Sequence, residues 1–226
     1  MKPFQVVKDF ERALAEYTGA PYVVTVNSCT MALLLAVAWH MRNPGSLAAY
    51  RSLAASRGFL PPVEIPKRTY VGVPMSIIHA GGRPTFRDED WRGSYQLNPL
   101  PVWDSARLFT SGMYPNWTPG RDAKSGGMVC VSFHWSKTLG IQQGGAILLD
   151  NAEADYWLRR ARFDGRQEGI PPRLQTPESW IVGWHCYMSP EIAAEGLVRL
   201  SHLPKHNAPL PNDDYSDLST MELFRG

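Results

Sequence analysis

Only three cysteines occur in the 226 residues, Cys29, Cys130 and Cys186, and no two lie close together. An odd, scattered set offers no disulfide framework and no zinc-ligand spacing, so a reducing cytoplasm is the expected setting. Long apolar runs are also lacking. None approaches the length that spans a bilayer, so no membrane partner is expected. The first residues carry Lys2, Lys8 and Asp9 in place of an apolar core, so no signal peptide is read. Excess charge is missing too: the net charge is +2, which gives no argument for a polyanion partner. There is no internal repeat and no Gly-x-Ser-x-Gly elbow. No Walker lysine or Rossmann glycine triplet occurs. Secreted disulfide scaffolds, zinc modules, elbow-type hydrolases and the common nucleotide folds are thereby set aside.

What remains is the pattern of one α/β domain. Val6, Val7, Phe10, Ala13, Leu14 and Tyr17 recur at helical spacing over residues 6–18. A β-branched run from Tyr22 to Val26 ends at Asn27-Ser28, and an Ala- and Leu-rich helix follows to about Met41. Strand, polar turn, helix is the unit that aims free N–H groups at an anion. A Pro-, Gly- and Ser-rich stretch over 43–62 has room for a short helix near 47–57. Val63 to Ile65 and Thr85-Phe86 read as strands with a helix over Tyr70 to His79 between them. The chain to Asn98 reads as irregular, and Pro101-Val102-Trp103 as a strand ending at Asp104. Gly127 to Phe133 and Ala146 to Leu149 read as neighbouring antiparallel strands. Helices are expected over Ala152 to Phe163 and Ser189 to Leu203. The division expected is one domain over 1–203 and an extended or partly disordered tail over 204–226.

Three chemical groups stand out. Lys137 lies in Val131-Ser132-Phe133-His134-Trp135-Ser136-Lys137, five positions after Ser132 and shortly before Gly144-Gly145. Asp104 ends a strand, where ligands of α/β sheets gather. Ser28, Cys29 and Thr30 open a helix. An amine to hold an aldehyde, an acid for a pyridine nitrogen, and hydroxyls with N–H groups for a phosphate are what pyridoxal phosphate (PLP) chemistry needs. Each group also has a plain structural role to offer: a surface lysine, a capping aspartate, a capped helix start.

The order of these residues resembles the DegT/StrS family of PLP-dependent aminotransferases, which act mostly on keto-sugars attached to nucleotides. Phe10 to Ala20 is similar to that family's first helix. Val26-Asn27-Ser28-Cys29-Thr30-Met31-Ala32-Leu33 resembles its phosphate turn, although Cys29 replaces a Gly. Pro66 to Val71 and Ala80 to Asp88 are similar to the next strands, and Tyr187 to Leu197 to its Met-Ser-x-x-x-Ala-Ala helix. The resemblance covers about residues 8 to 203.

It implies the large domain of the aspartate-aminotransferase fold (fold type I), with a mixed, mostly parallel sheet flanked by helices. It implies a Schiff-base lysine and proton shuttle at Lys137 and a ring-nitrogen partner at Asp104. Phosphate contacts fall to Ser28, Cys29, Thr30 and Ser132, and a stacking aromatic to Tyr70. Arg107 stands where the family has Gln or His beside the cofactor's phenolic oxygen, so a cofactor or substrate-anion contact is expected. His185 stands where an Asn reaches the partner subunit's phosphate. His134 belongs to a recurrent Ser-Phe-His. Two family pieces are missing: an insertion, since Asp90 and Asp104 are fourteen positions apart, and the small C-terminal domain. The site should then be open unless a partner or the tail covers it.

The expected activity is amino transfer between an amino acid and a carbonyl substrate such as a keto-sugar nucleotide, in a homodimer with shared sites. One alternative is a PLP decarboxylase or lyase acting on an amino-acid-like group of a bulky substrate, even a modified base in DNA, with salt-sensitive nucleic-acid binding as its mark. Another is a non-catalytic PLP-fold partner protein. Nucleic acid is the less favoured partner.

Overall fold

The computed structural model describes residues 4–42, 61–116, 127–212 and 214–224. The helix expected near 47–57 lies outside the described residues. The chain forms helix α1 (Gln5–Thr18), strand β1 (Tyr22–Val26), α2 (Cys29–Arg42), β2 (Pro62–Pro66), α3 (Gly72–His79) and β3 (Arg83–Arg87). It continues through β4 (Tyr95–Gln96), β5 (Val102–Asp104), α4 (Met113–Asn116), β6 (Met128–Ser132), β7 (Gly145–Leu149), α5 (Ala152–Ala161) and α6 (Pro190–His202).

One five-stranded sheet runs in the order β1-β7-β6-β5-β4, and β2 and β3 form a separate parallel pair. Strand alternation sorts the core into two layers. Val24, Val26, Cys130, Ile147 and Leu149 face one cluster together with α2, α3 and α5. Val23, Val129, Val131, Ala146 and Leu148 face the other, with Phe10 and Leu14 of α1 and Ala193 and Leu200 of α6. With both faces covered, β6 and β7 are buried at every position, as their sequences, Met-Val-Cys-Val-Ser and Gly-Ala-Ile-Leu-Leu, allow. Helix α2 is apolar on all sides because it lies between the sheet and two other helices.

The expectation of a mostly parallel sheet needs correction. β1, β5 and β6 share one direction, but β7 and β4 run against it, so three of the four pairings are antiparallel. The cause is connectivity. β6 reaches β7, and β4 reaches β5, without a helix to carry the chain back, so each pair closes as a hairpin. The antiparallel pairing of β6 with β7 was legible in the sequence; that of β1 with β7 was not. Strands β2 and β3 do keep a helical crossover, α3, and are parallel. Glu64 and Asn98 exchange backbone hydrogen bonds of 2.7 and 3.0 Å and so tie this pair to the main sheet beside β4.

After α6 the tail runs extended across the molecule. The Ser111 N–H donates to Lys205 O, the Leu210 N–H to Arg107 O and the Leu218 N–H to Lys67 O, each at 2.8–2.9 Å. Leu218 and Phe224 are buried. Close packing elsewhere is visible at Gly196 of α6, where a Cβ would come within 2.5 Å of the Phe10 ring.

A buried charge cluster joins α1, β1 and α5. Glu11 accepts from the Thr25 N–H at 3.0 Å and hydroxyl at 2.9 Å, from Arg159 at 2.6 Å, and from the fully buried Arg162. Burial opposes the Glu11 charge, but the Arg162 and Arg159 guanidiniums prevail and hold its pKa down at about 2. A depressed carboxylate stabilises the fold fully above its unfolded pKa near 4.5, and that contribution fades as pH falls from there toward 2. Glu11→Gln should cost roughly 3–5 kcal/mol, the usual loss when one partner of a buried pair is removed. Urea unfolding at pH 7 measures it. The gap between variant and wild type should shrink at pH 3.

Candidate functional site

β1, β5 and β6 point the same way, so their C-terminal ends meet on one side of the sheet. Ser28, Asp104 and Ser132 stand at or just past those ends. A cavity of about 370 Å³ opens there. It brings together Ser28, Cys29, Thr30, Tyr70, Asp104, Arg107, Ser132 and Lys137, eight of the nine site residues expected from the sequence.

The first wall is the start of α2. Ser28 Oγ accepts the Met31 N–H at 3.2 Å, so Ser28 caps the helix while facing the cavity. The capping role and the anion role coexist, because a capped N-terminus still presents N–H groups and positive potential. Cys29 turns its thiol into the core, which explains how the turn tolerates a side chain in place of Gly. Burial and then the Asp104 charge push that thiol well above its ordinary pKa. Gly145 is the reason β7 can start here: a Cβ would meet Cys29 N at 2.6 Å and Cys29 Cα at 2.8 Å. Gly144, at φ 129°, lies against Met188 and bridges to Ser28.

The floor is Asp104. Its Oδ1 accepts the Ala106 N–H at 2.9 Å and its Oδ2 the Tyr95 hydroxyl at 2.8 Å. Burial raises its pKa, while the Ala106 N–H, the Tyr95 hydroxyl and the Lys137 charge pull the other way. Lys137 sits in the loop between β6 and β7, where its N–H donates to His134 O at 2.8 Å. Ser132 is 7% exposed, and His134, bonded to Ser136 at 2.9 Å, stands beside it. Tyr70 is largely exposed, but its ring overlies Gly72: a Cβ there would be 2.7 Å from Tyr70 Cε1 and 3.0 Å from Thr30 Oγ1.

His185 is not brought to this cavity. Its Nδ1 lies 3.0 Å from the Asp164 carboxylate, and its ring packs on Tyr187. A role across a subunit boundary therefore stays a proposal. Several lining residues were not anticipated: Asn27, Thr69, Trp91, Gln143 and Tyr215. Thr69 had a signal, since it precedes Tyr70 at the end of β2. Tyr215 had none. It lies in the tail, is stacked on Trp91 at 6.2 Å, and stands 5.9 Å from the nearly buried Arg107 guanidinium. The tail thus supplies part of the cavity wall. No group of three or more potential metal ligands occurs among the described residues. A wider groove of about 690 Å³ between α1 and α5 is less suited to chemistry: its Glu11 is already consumed by arginines.

The amine of Lys137, the acid of Asp104 and the capped start of α2 thus converge on one cavity of about 370 Å³. Gly145→Ala should open that space by forcing β7 from the α2 turn. Overpacking costs about 1–3 kcal/mol, so the variant should fold with a lowered melting temperature and lose most affinity for inorganic phosphate. Thermal unfolding and phosphate titration check both.

Residues 2–103 match the DegT/DnrJ/EryC1/StrS aminotransferase family. The chain is 23% identical to the spore coat polysaccharide biosynthesis protein SpsC of Bacillus subtilis (strain 168), over 87% of this chain and 57% of SpsC. A putative PLP-dependent aminotransferase from Bacillus cereus ATCC 10987 superposes with a TM-score of 0.61 at 20% identity, covering 87% of this chain and 58% of that one. NtdA from Bacillus subtilis, solved with bound cofactor PMP, gives 0.62 at 18% identity, covering 88% and 48%. This chain therefore spans about half the length of the proteins it matches, and it shares with them the fold of PLP-dependent aminotransferases in mixed, largely antiparallel form. Over residues 2–103 the chain is thus similar to the DegT/DnrJ/EryC1/StrS aminotransferase family, and its fold is that of PLP-dependent aminotransferases.

Proposed function

We propose that this chain binds PLP and moves an amino group between an amino acid and a carbonyl substrate such as a keto-sugar nucleotide. The observation that carries the reading is the convergence of Lys137, Asp104 and the Ser28–Thr30 turn on one cavity. The donor set fits the cofactor: an amine for the aldehyde, a buried carboxylate for the ring nitrogen, and a 14-residue helix start with Ser28, Thr30 and Ser132 for the phosphate. When bound, PLP supplies an electron sink for the carbanion formed at a substrate Cα. The Bacillus cereus neighbour is described as PLP-dependent, and NtdA holds PMP. Both support the reading.

The chain's own residues divide the work. Lys137 Nζ would hold the aldehyde and serve as the base for the proton at the donor's Cα. Asp104 would keep the ring nitrogen protonated. The α2 N-terminus would hold the phosphate, and Tyr70, which lines the same cavity, would contact the ring. Trp91 and Tyr215 line the same cavity. Arg107 grips the phenolic oxygen or a substrate anion with a charge that no working pH removes. A homodimer with shared sites, acting in the cytoplasm, completes the reading. Its supports are three buried free thiols, the lack of a membrane-crossing helix among the described residues, and the exposed Tyr70 and Trp135 near the cavity. The alternative of a bulky substrate was motivated by an uncovered site, and Tyr215 weakens that motive.

Added PLP should give the wild type a visible absorbance band, and Lys137→Ala should lose it while folding normally. A wild type that stays colourless with PLP overturns the proposal. Arg107→Gln should keep PLP bound and slow the native reaction about ten- to a hundredfold, the worth of a charge-assisted hydrogen bond. A shifted absorbance band without substrate places Arg107 on the cofactor. A raised KM with an unshifted band places it on the substrate.

A further inference from the structure

Asp104 is joined to a chain of hydroxyls that the proposed reaction does not itself require. Thr69 Oγ1 lies 2.6 Å from Tyr95 Oη, and Tyr95 Oη lies 2.8 Å from Asp104 Oδ2. All three residues are 5% exposed or less. An ionised carboxylate only accepts, so Tyr95 donates to Asp104 and is left to accept from Thr69. The polarity of the chain is thus fixed: Thr69 to Tyr95 to Asp104. Hydroxyls aligned in series strengthen one another where water is absent.

Three strands build the chain. Thr69 follows β2, Tyr95 opens β4, and Asp104 ends β5. Tyr95 and Asp104 are directly opposed in the antiparallel ladder, so the backbone itself sets their approach. The Tyr95 ring is held against Trp91 with centroids 4.7 Å apart and planes at 63°. Its hydroxyl therefore has little freedom to leave Asp104. The other groups that act on Asp104 are Lys137, Cys29 and Cys130. Burial pushes both thiols well up, so they are neutral and bring it no charge. Lys137 would be committed to the aldehyde. Among the contacts that remain, Tyr95 and the Ala106 N–H are the hydrogen-bond donors seen on the carboxylate.

We propose that Tyr95, backed by Thr69, is a positioning residue that fixes the Asp104 carboxylate against the cavity and so sets how tightly the site holds a protonated ring nitrogen. The inference rests on the reading of the cavity as a PLP site. It adds that β4, a hairpin strand of two residues, works as part of the cofactor site from behind.

The test compares two ligands, PLP and an analogue with CH in place of the ring nitrogen. Dissociation constants are measured for the wild type, Tyr95→Phe, Thr69→Val, Asp104→Asn and the Tyr95→Phe/Asp104→Asn double variant. Tyr95→Phe keeps the ring packed on Trp91 and removes only the donor. It should weaken PLP about tenfold, the worth of a hydrogen bond to a charged group, and leave the carbon analogue unaffected. Thr69→Val should do the same to a smaller extent. In the Asp104→Asn background, Tyr95→Phe should change nothing further. Equal loss for both ligands would make Tyr95 merely structural and overturn the proposal, as would an unchanged PLP affinity. If Tyr95→Phe does not fold, the same two-ligand comparison on Thr69→Val decides between these outcomes. A wild type that binds neither ligand overturns the PLP reading and this inference together. A wild type that binds PLP with Tyr95 indifferent overturns the inference alone.

Discussion

The fold hangs on Glu11, a carboxylate that has left water. β1 is an edge strand of the main sheet, and an open edge invites pairing with a foreign strand. Here α1 lies on one face of the sheet and α5 on the other, and Glu11 links them around that edge. It takes hydrogen bonds from Thr25 in β1 and from Arg159 and Arg162 in α5. Arg159 adds a bond to Val23 O, and Arg162 one to Thr25 O, so the same guanidiniums cap carbonyls of the edge strand. A buried acid alone would be costly, but one shared by two arginines and a peptide N–H is not. Everything downstream of β1 inherits this registration, beginning with the Ser28–Thr30 turn that closes the cavity.

Much of this was legible because it rests on local signals. A β-branched run into Asn-Ser, then Ala and Leu, can hardly be other than strand, turn and helix, and β1 and α2 appear at those positions. The gathering of Lys137, Asp104, Ser28 and Ser132 was legible through the ordered resemblance, since Asp104, Ser28 and Ser132 lie at strand ends whose direction the fold dictates and Lys137 in the loop that follows β6. What escaped was what depends on pairing at a distance. Tyr95 sits in Trp91-Arg92-Gly93-Ser94-Tyr95-Gln96, which has no alternation to announce a strand. It becomes one because β5 needs a neighbour. Nothing in the tail's Pro, Asn and Asp announces that Tyr215 will meet Trp91. The sheet's strand directions were misjudged for a similar reason: direction follows from what connects two strands, and the links over Phe133–Gly144 and Leu97–Pro101 contain no helix.

The two departures from the family pattern turn out differently. Arg107 is nearly buried and lines the cavity. His185 faces the surface and Asp164. Two segments shape the cavity from its sides. The β4–β5 hairpin brings Tyr95 to Asp104. The tail is pinned at Lys67, Trp91 and Arg107 and places Tyr215 in the cavity wall.

The pairing of β1 with β7 has a consequence for how the molecule comes into being. Val26 meets Gly145 and Tyr22 meets Leu149, so β1 must wait for a strand that is made much later. A ribosome delivers α1, β1 and α2 long before β7 exists to receive them. Such distant pairing makes folding slow and leaves apolar surface waiting. The waiting piece is a helix apolar on every side and a strand of Tyr-Val-Val-Thr-Val. Until β7 is made, that apolar surface is the part of this architecture most open to aggregation.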